Sequence, residues 1–258
     1  NASVGMIYAF LFANNVVYNW RHRTVDGGDH RSFYCIINNY FKPGPATPKN
    51  DPVGYRFLKP ESRRSKFFTE DYGKAYVAGN VMEGNAKVTA DNWAGGVQIE
   101  GPPELDVAKT LELVRAKKPY PHSYVEIQPA AEAYETVLAG VGATKPRRDA
   151  VDERVIEMVR SGTVTSPENE GIITDIKQVG GYPEYKGEPY ADADSDGMPD
   201  AWETANKLNP NNAADAVADA NGDGYTNIED FLNGLDPNAP KQAWPAPRTY
   251  VDLFWQEY

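Results

Sequence analysis

Cysteine is almost missing from this chain of 258 residues. The one present, Cys35, excludes an internal disulfide, so the fold must rest on packing, hydrogen bonds or metal ions. Flanked by Tyr34 and Ile36 in an apolar run, it reads as a buried thiol and not a nucleophile. Histidine is nearly as scarce. His22, His30 and His122 show no spacing that would hold zinc. Long hydrophobic runs are missing too: the longest, Val4 to Ala13, is too short to span a bilayer, and no membrane partner is expected. There is no phosphate-cradling glycine loop, no nucleophile elbow and no motif for a nucleic-acid partner. The opening Asn1-Ala2-Ser3 has neither an initiator Met nor a leader. It reads as a processed product or a piece of a longer protein, expected to be secreted, periplasmic or on the cell surface.

What is present is globular in composition, 41% hydrophobic and 12% aromatic. The net charge of -11 is concentrated. Between Glu184 and Asp236 lie 13 acidic and 2 basic side chains, and the remainder is neutral. Within that acidic stretch Asp192, Asp194, Asp196, Asp200 and Glu203 occupy positions 1, 3, 5, 9 and 12 of a twelve-residue loop. Gly197 stands at position 6 for the sharp turn, and Met198 at position 7 offers a backbone carbonyl. This is an EF-hand calcium loop. A second follows, with Asp219, Asn221, Asp223, Tyr225, Asn227 and Asp230 at positions 1, 3, 5, 7, 9 and 12. Asp at its last position shortens the reach to the ion. The loops are an internal repeat offset by 27 residues, and each leads into one short helix with none of convincing period before it. Calcium ions are the expected cofactors. They serve either to hold this segment together or to dock it to a partner.

The first hundred residues read as strands, in short aromatic and β-branched runs broken by turns. Phe12-Ala-Asn14-Asn15-Val-Val-Tyr18 recurs as Ile36-Ile-Asn38-Asn39-Tyr-Phe41 and as Val77-Ala-Gly79-Asn80-Val-Met82. The offset from Asn15 to Asn39 is 24 residues, about one coil of a parallel β-solenoid; that from Asn39 to Asn80 is 41, leaving an excursion over 42–74. An Asn at successive turns can stack its amide on the next. The expected fold is mainly β: part of a right-handed parallel β-helix over 1–100, with helices and strands packing on it over 101–183. A paired calcium module covers 184–240, and an aromatic tail over 241–258 docks back. Helices are predicted over 104–118, 130–140, 149–160, 200–207 and 227–233.

Asn14-Asn-Val-Val-Tyr-Asn-Trp20, Asn38-Asn-Tyr-Phe-Lys-Pro-Gly-Pro-Ala-Thr47, Val77-Ala-Gly-Asn-Val-Met-Glu-Gly84, Val88-Thr-Ala-Asp-Asn-Trp93, Arg148-Asp-Ala-Val-Asp152 and Gly180-Gly-Tyr-Pro183 occur in an order that resembles the C-terminal portion of bacterial pectate lyases of polysaccharide lyase family 1. The acidic repeats resemble those of dockerins and related calcium modules. The lyase resemblance implies a parallel β-helix enzyme that cleaves acidic polysaccharides, pectate or a related polyuronate, by β-elimination. It implies that calcium bridges the uronate carboxylate to acidic side chains and that an arginine removes the C5 proton. In that family the acidic cluster and the catalytic arginine lie upstream of the Asn-Asn-Val-Val-Tyr-Asn-Trp strand. Here no Arg, Lys, Asp or Glu precedes Asn14. The expectation is therefore the second half of a lyase, whose N-terminal half is a possible separate partner chain, and no residue can be assigned as the catalytic base.

The candidate substrate-binding loop runs from Arg21 to Arg31. Arg21, Arg23 and Arg31 can pair with uronate carboxylates in forked geometry, and His30 can hydrogen-bond a sugar hydroxyl. The same residues, with Asp26 and Asp29, also fit an internally paired polar turn. The alternative to a lyase is a polysaccharide-binding or structural protein whose calcium module gives stability or docking.

Overall fold

The computed structural model describes residues 8–25, 32–62, 72–122, 125–145, 147–184 and 188–241. They form two compact units, the first lying within 1–142 and 150–182 and the second within 143–149 and 183–248.

In the first unit, strands β1 (Tyr8–Ala13), β3 (Ser32–Ile37) and β5 (Lys74–Ala78) form one parallel sheet. Strands β2 (Val16–Tyr18), β4 (Tyr40–Lys42) and β6 (Val81–Met82) form another. The pairing follows the repeat: Phe10 lies opposite Tyr34, Val16 opposite Tyr40, Cys35 opposite Tyr76 and Phe41 opposite Met82. Between the two strands of each repeat the chain turns through a left-handed residue, Asn14, Asn38 or Gly79. Asn tolerates that region through its short polar side chain. At Gly79 a Cβ would collide with Oδ1 of Asn38, so only glycine fits.

The residue after each turn builds a ladder. Oδ1 of Asn39 accepts from the backbone N and Nδ2 of Asn15 at 2.9 and 3.0 Å. Oδ1 of Asn80 accepts from the same two atoms of Asn39 at 2.9 and 2.8 Å, and Oδ1 of Asn92 from those of Asn80, both at 2.9 Å. Asn39 and Asn80 are fully buried. Their amides also donate to the carbonyls of Phe12 and Ile36, so donors and acceptors are both used. Against this corner pack Ile36, Phe41, Phe57, Leu58, Met82, Val88, Val97 and Val114, which form the core.

The expectation of a mainly β chain built on a right-handed parallel β-helix is not met. Two sheets of three short strands do not close into a solenoid, and six α-helices make the described chain mixed α/β. The reason is visible after Met82. There the Asn85 side chain caps α1 (Ala86–Ala90), taking the Val88 N–H, and the chain turns helical where a further coil would continue. Beyond it, among the described residues, only isolated parallel bridges, Leu58 to Val97 and Ala75 to Arg115, extend the pairing.

Helices α2 (Val107–Val114), α3 (Ala130–Gly140) and α4 (Ala150–Ser161) follow. α2 packs on β5 and α3 on β2 and β4, where the rings of Tyr40 and Tyr134 lie 4.5 Å apart. The segment before α3 is tied to the left-handed corners. Asn14 and Asn38 donate to the carbonyls of Glu126 and Gln128, and the Gln128 N–H returns a bond to Asn14 Oδ1. No helix among the described residues is long and apolar enough to cross a membrane.

The described residues of the second unit form two helices, α5 (Asp200–Ala205) and α6 (Asn227–Asn233), each following an acidic loop. Its buried apolar core is three residues, Met198, Ala216 and Phe231, with Trp202, Leu208 and Ile228 against them. The aromatic tail at 242–258 lies outside the described residues.

Candidate functional sites

The loop before α5 winds around its first carboxylate. Asp192 accepts from the N–H groups of Asp196 and Gly197 at 3.2 and 3.0 Å, and Asp196 Oδ1 from Met198 N–H at 2.8 Å. Gly197 has φ 96, the turn that glycine at position 6 supplies. Asp200, at position 9, accepts from the Ala193 N–H at 2.8 Å, which ties the loop ends together. What remains is a set of oxygens with no donor. Both oxygens of Asp194 and of Glu203, Oδ2 of Asp196 and Oδ1 of Asp215 are buried without a hydrogen-bond partner. Glu203 is fully buried. Asp192, Asp194 and Asp196 each bring a carboxylate oxygen within 4.8 Å of the others, and so do Asp196, Glu203 and Asp215. Burial, with the negative charges of Asp196, Asp194 and Asp215 beside it, pushes the Glu203 carboxyl up to about 7. Asp196 is likewise raised, chiefly by burial.

The second loop repeats the winding. Asp219 accepts from Gly222, Asp223 and Gly224, and these backbone donors, Gly224 foremost, hold its carboxyl below the usual range. Asn221 accepts from Asp223 N–H, Asp223 from Tyr225 N–H, and Asn227 Oδ1 from Ala220 N–H. Asp230, at position 12, is buried with Oδ1 unpartnered, and burial raises its pKa. At position 7 of the two loops Met198 is buried and Tyr225 exposed.

Buried ionised carboxylates without donors are costly unless a cation is bound among them. A donor set made wholly of oxygen suits a hard cation such as calcium and not a thiolate- or imidazole-seeking metal. The residues of the first loop fit such an ion. Every carboxylate grouping of this kind among the described residues lies in the second unit. The spacing of the loops indicated all of these positions except Asp215, which stands outside both.

The arginine loop is only partly described. His30 and Arg31, with Asp26 and Asp29, lie outside the described residues. Arg21 and Arg23 are exposed at the end of the turn after β2. Arg21 pairs with Glu170 at 3.1 Å, a partner 149 positions away that no local pattern reveals. In the excursion over 42–74, Arg56 is buried and bonded to Glu100 and Gln98 at 2.7 and 2.6 Å. Lys59 bridges Glu61 and Glu100 at 3.1 and 3.0 Å, and its hydrogen bond to Glu100 raises it while lowering Glu100. Arg56 and Lys59 are therefore internally paired, and Arg63, Arg64 and Lys66 lie outside the described residues. A depression of about 610 Å³ in the first unit is lined by Gly44, Lys49, Tyr55, Glu83 and Asn85 among others.

Three relatives place this geometry in context. The chain is 30% identical over 210 residues to "Probable pectate lyase C" of Aspergillus terreus, a match covering 78% of this chain and 43% of the relative. It is 31% identical over 209 residues to the protein of that name from Aspergillus fumigatus, and 29% over 205 residues to that from Neosartorya fischeri, each covering 78% of this chain and 42% of the relative. The chain is pectate lyase-like. It spans less than half the length of these relatives, and no protein-family model matches it.

Proposed function

We propose that this chain is part of an exported, calcium-dependent polyuronate lyase, contributing scaffold and substrate contacts to a protein that cleaves pectate-like polymers by β-elimination. Its similarity over 78% of its length to proteins named as pectate lyases supports this reading. In such a reaction a base removes the proton at C5 of a uronate, the C4–O bond breaks, and an unsaturated sugar end forms. Arg21 and Arg23, exposed after β2, are suited to bind uronate carboxylates as guanidinium forks. Glu170 holds Arg21 by an ion pair that a substrate carboxylate would have to replace.

In the second unit, calcium is the proposed ion. Asp192, Asp194, Asp196, Glu203 and the Met198 carbonyl would hold one. Asp219, Asn221, Asp223, Asp230 and the Tyr225 carbonyl would hold another. There the ion supplies charge neutralisation and rigidity to a unit with little apolar core. Asp200 and Asn227 brace the loops through backbone bonds.

The test is incubation with polygalacturonate and millimolar calcium, following the ultraviolet absorbance of the unsaturated product. Absorbance that grows with time and stops on chelation supports lyase chemistry in this chain. A folded chain that retards the polymer in an affinity gel without cleaving it would instead make the chain a binding module. A chain that neither cleaves nor binds, alone or within its full-length parent, contradicts the reading.

A further inference from the structure

We infer that the first cation site of the second unit is not a self-contained twelve-residue loop but a site closed by Asp215, from the segment that joins the two repeats. The inference rests on the calcium reading given above and adds a ligand that the loop motif does not contain.

The motif predicts ligands only between Asp192 and Glu203. Glu203 is fully buried, and neither of its oxygens meets a donor. Its nearest companions are not confined to its own loop: oxygens of Asp196, Glu203 and Asp215 all lie within 4.8 Å of one another. Asp215 is oriented by its other oxygen, for Oδ2 accepts from the Asn209 N–H at 2.9 Å while Oδ1 is buried without a partner. One oxygen anchors the side chain and the other is left toward the cage. Three carboxylates converging without a counter-charge repel strongly at low effective dielectric. A divalent cation turns that repulsion into coordination.

Asp215 is also fastened to the second repeat. Its carbonyl accepts from Asn227 Nδ2 at 2.8 Å, and the carbonyl of the following residue, Ala216, accepts from Ile228 N–H at 3.1 Å. Asn227 and Ile228 open α6, and Ala216 lies in the small core with Met198 and Phe231. An ion held by Asp215 therefore fixes the start of α6 as well as the first loop, and an isolated first repeat would lack a ligand. The second loop has a smaller charge, with Asn221 where the first has Asp194, so the first site is the tighter one.

Asp215→Asn is a sharp probe. Its amide carbonyl can keep the bond from Asn209 N–H, which leaves an NH2 group, a poor cation neighbour, facing the cage. Calcium is titrated calorimetrically into the full chain after chelator treatment, with Glu188→Gln as an exposed control for the loss of one charge. The wild type is expected to bind two ions. Asp215→Asn should weaken the tighter event at least tenfold, Glu188→Gln should leave both within twofold, and Asp230→Asn should weaken only the other event. Should Asp215→Asn fail to fold, judged by circular dichroism at saturating calcium, Asp215→Glu keeps the charge at a longer reach and should give a smaller loss at the same event. Calcium affinities for the Asp215 variants equal to those of the control would overturn the inference while leaving calcium binding intact. A wild-type chain that binds no calcium would overturn the underlying calcium reading itself.

Discussion

In the first unit the buried polar side chains at the corner are asparagines; in the second, Asn227 apart, they are carboxylates. Asn15, Asn39, Asn80 and Asn92 each carry donors and an acceptor, so a column of them satisfies itself and the neighbouring backbone. Asp194, Asp196, Glu203 and Asp215 carry acceptors alone, and their inward oxygens meet no donor. The apolar cores differ in the same sense: among the described residues, the core cluster has fourteen buried members in the first unit and three in the second. An amide ladder makes stability a property of the chain. On the calcium proposal, a carboxylate cage makes it a property of chain and cation together.

The largest expected effect on the self-sufficient side comes from the ladder. Asn39→Ala removes both amide donors and the acceptor for Asn15, leaving the Phe12 carbonyl without its partner. It should destabilise the first unit by roughly 3 to 5 kcal/mol in denaturant unfolding. Asn39→Asp should be comparably damaging, because its second oxygen would face Asn80 Oδ1. Calcium affinity should be unchanged in both variants, and a loss of calcium binding would break the separation drawn between the units.

A smaller effect concerns Cys35, which is buried beside the Tyr120 backbone, burial pushing the thiol up to about 11. An unfolded thiol ionises near about 8.5. Below that pH both states hold the proton and the contribution is fully present. Between about 8.5 and about 11 the unfolded state loses a proton that the folded state keeps, so stability should fall as pH rises, by about 3 kcal/mol in all. Cys35→Ala should flatten that slope in melts followed from pH 8 to 11.

The smallest effect on stability is expected at Arg21. Its pair with Glu170 is exposed, 56% and 44% for the two side chains, and Arg21→Ala should cost less than about 0.5 kcal/mol. Its retention on immobilised polygalacturonate should nonetheless drop several-fold. Unchanged retention would remove Arg21 from the substrate contacts.

How much of this was legible in the sequence varied with the range of the interaction. The offsets of 24 and 41 residues are the register offsets of the two sheets, because a parallel repeat writes its period directly into the spacing of Asn15, Asn39 and Asn80. The helix at 130–140 matches α3, and those predicted at 149–160 and 227–233 match α4 and α6 within a residue or two. The extrapolation from three repeats to a closed solenoid failed, since nothing in a strand period announces that Asn85 will start a helix. Asn92, the fourth rung, was hidden for the same reason: it returns after α1 and only 12 residues beyond Asn80. Asp215 and Glu170 were out of reach because their partners, Glu203 and Arg21, are brought to them by tertiary structure alone.

The most direct measurement is hydrogen–deuterium exchange of the chain with calcium and with chelator. Calcium should slow exchange over α5, α6 and the loops before them, within 188–241, while the amides of β3, β4 and β5 should exchange alike in both conditions. Equal protection of 188–241 with and without calcium would contradict the view that a cation holds the second unit together.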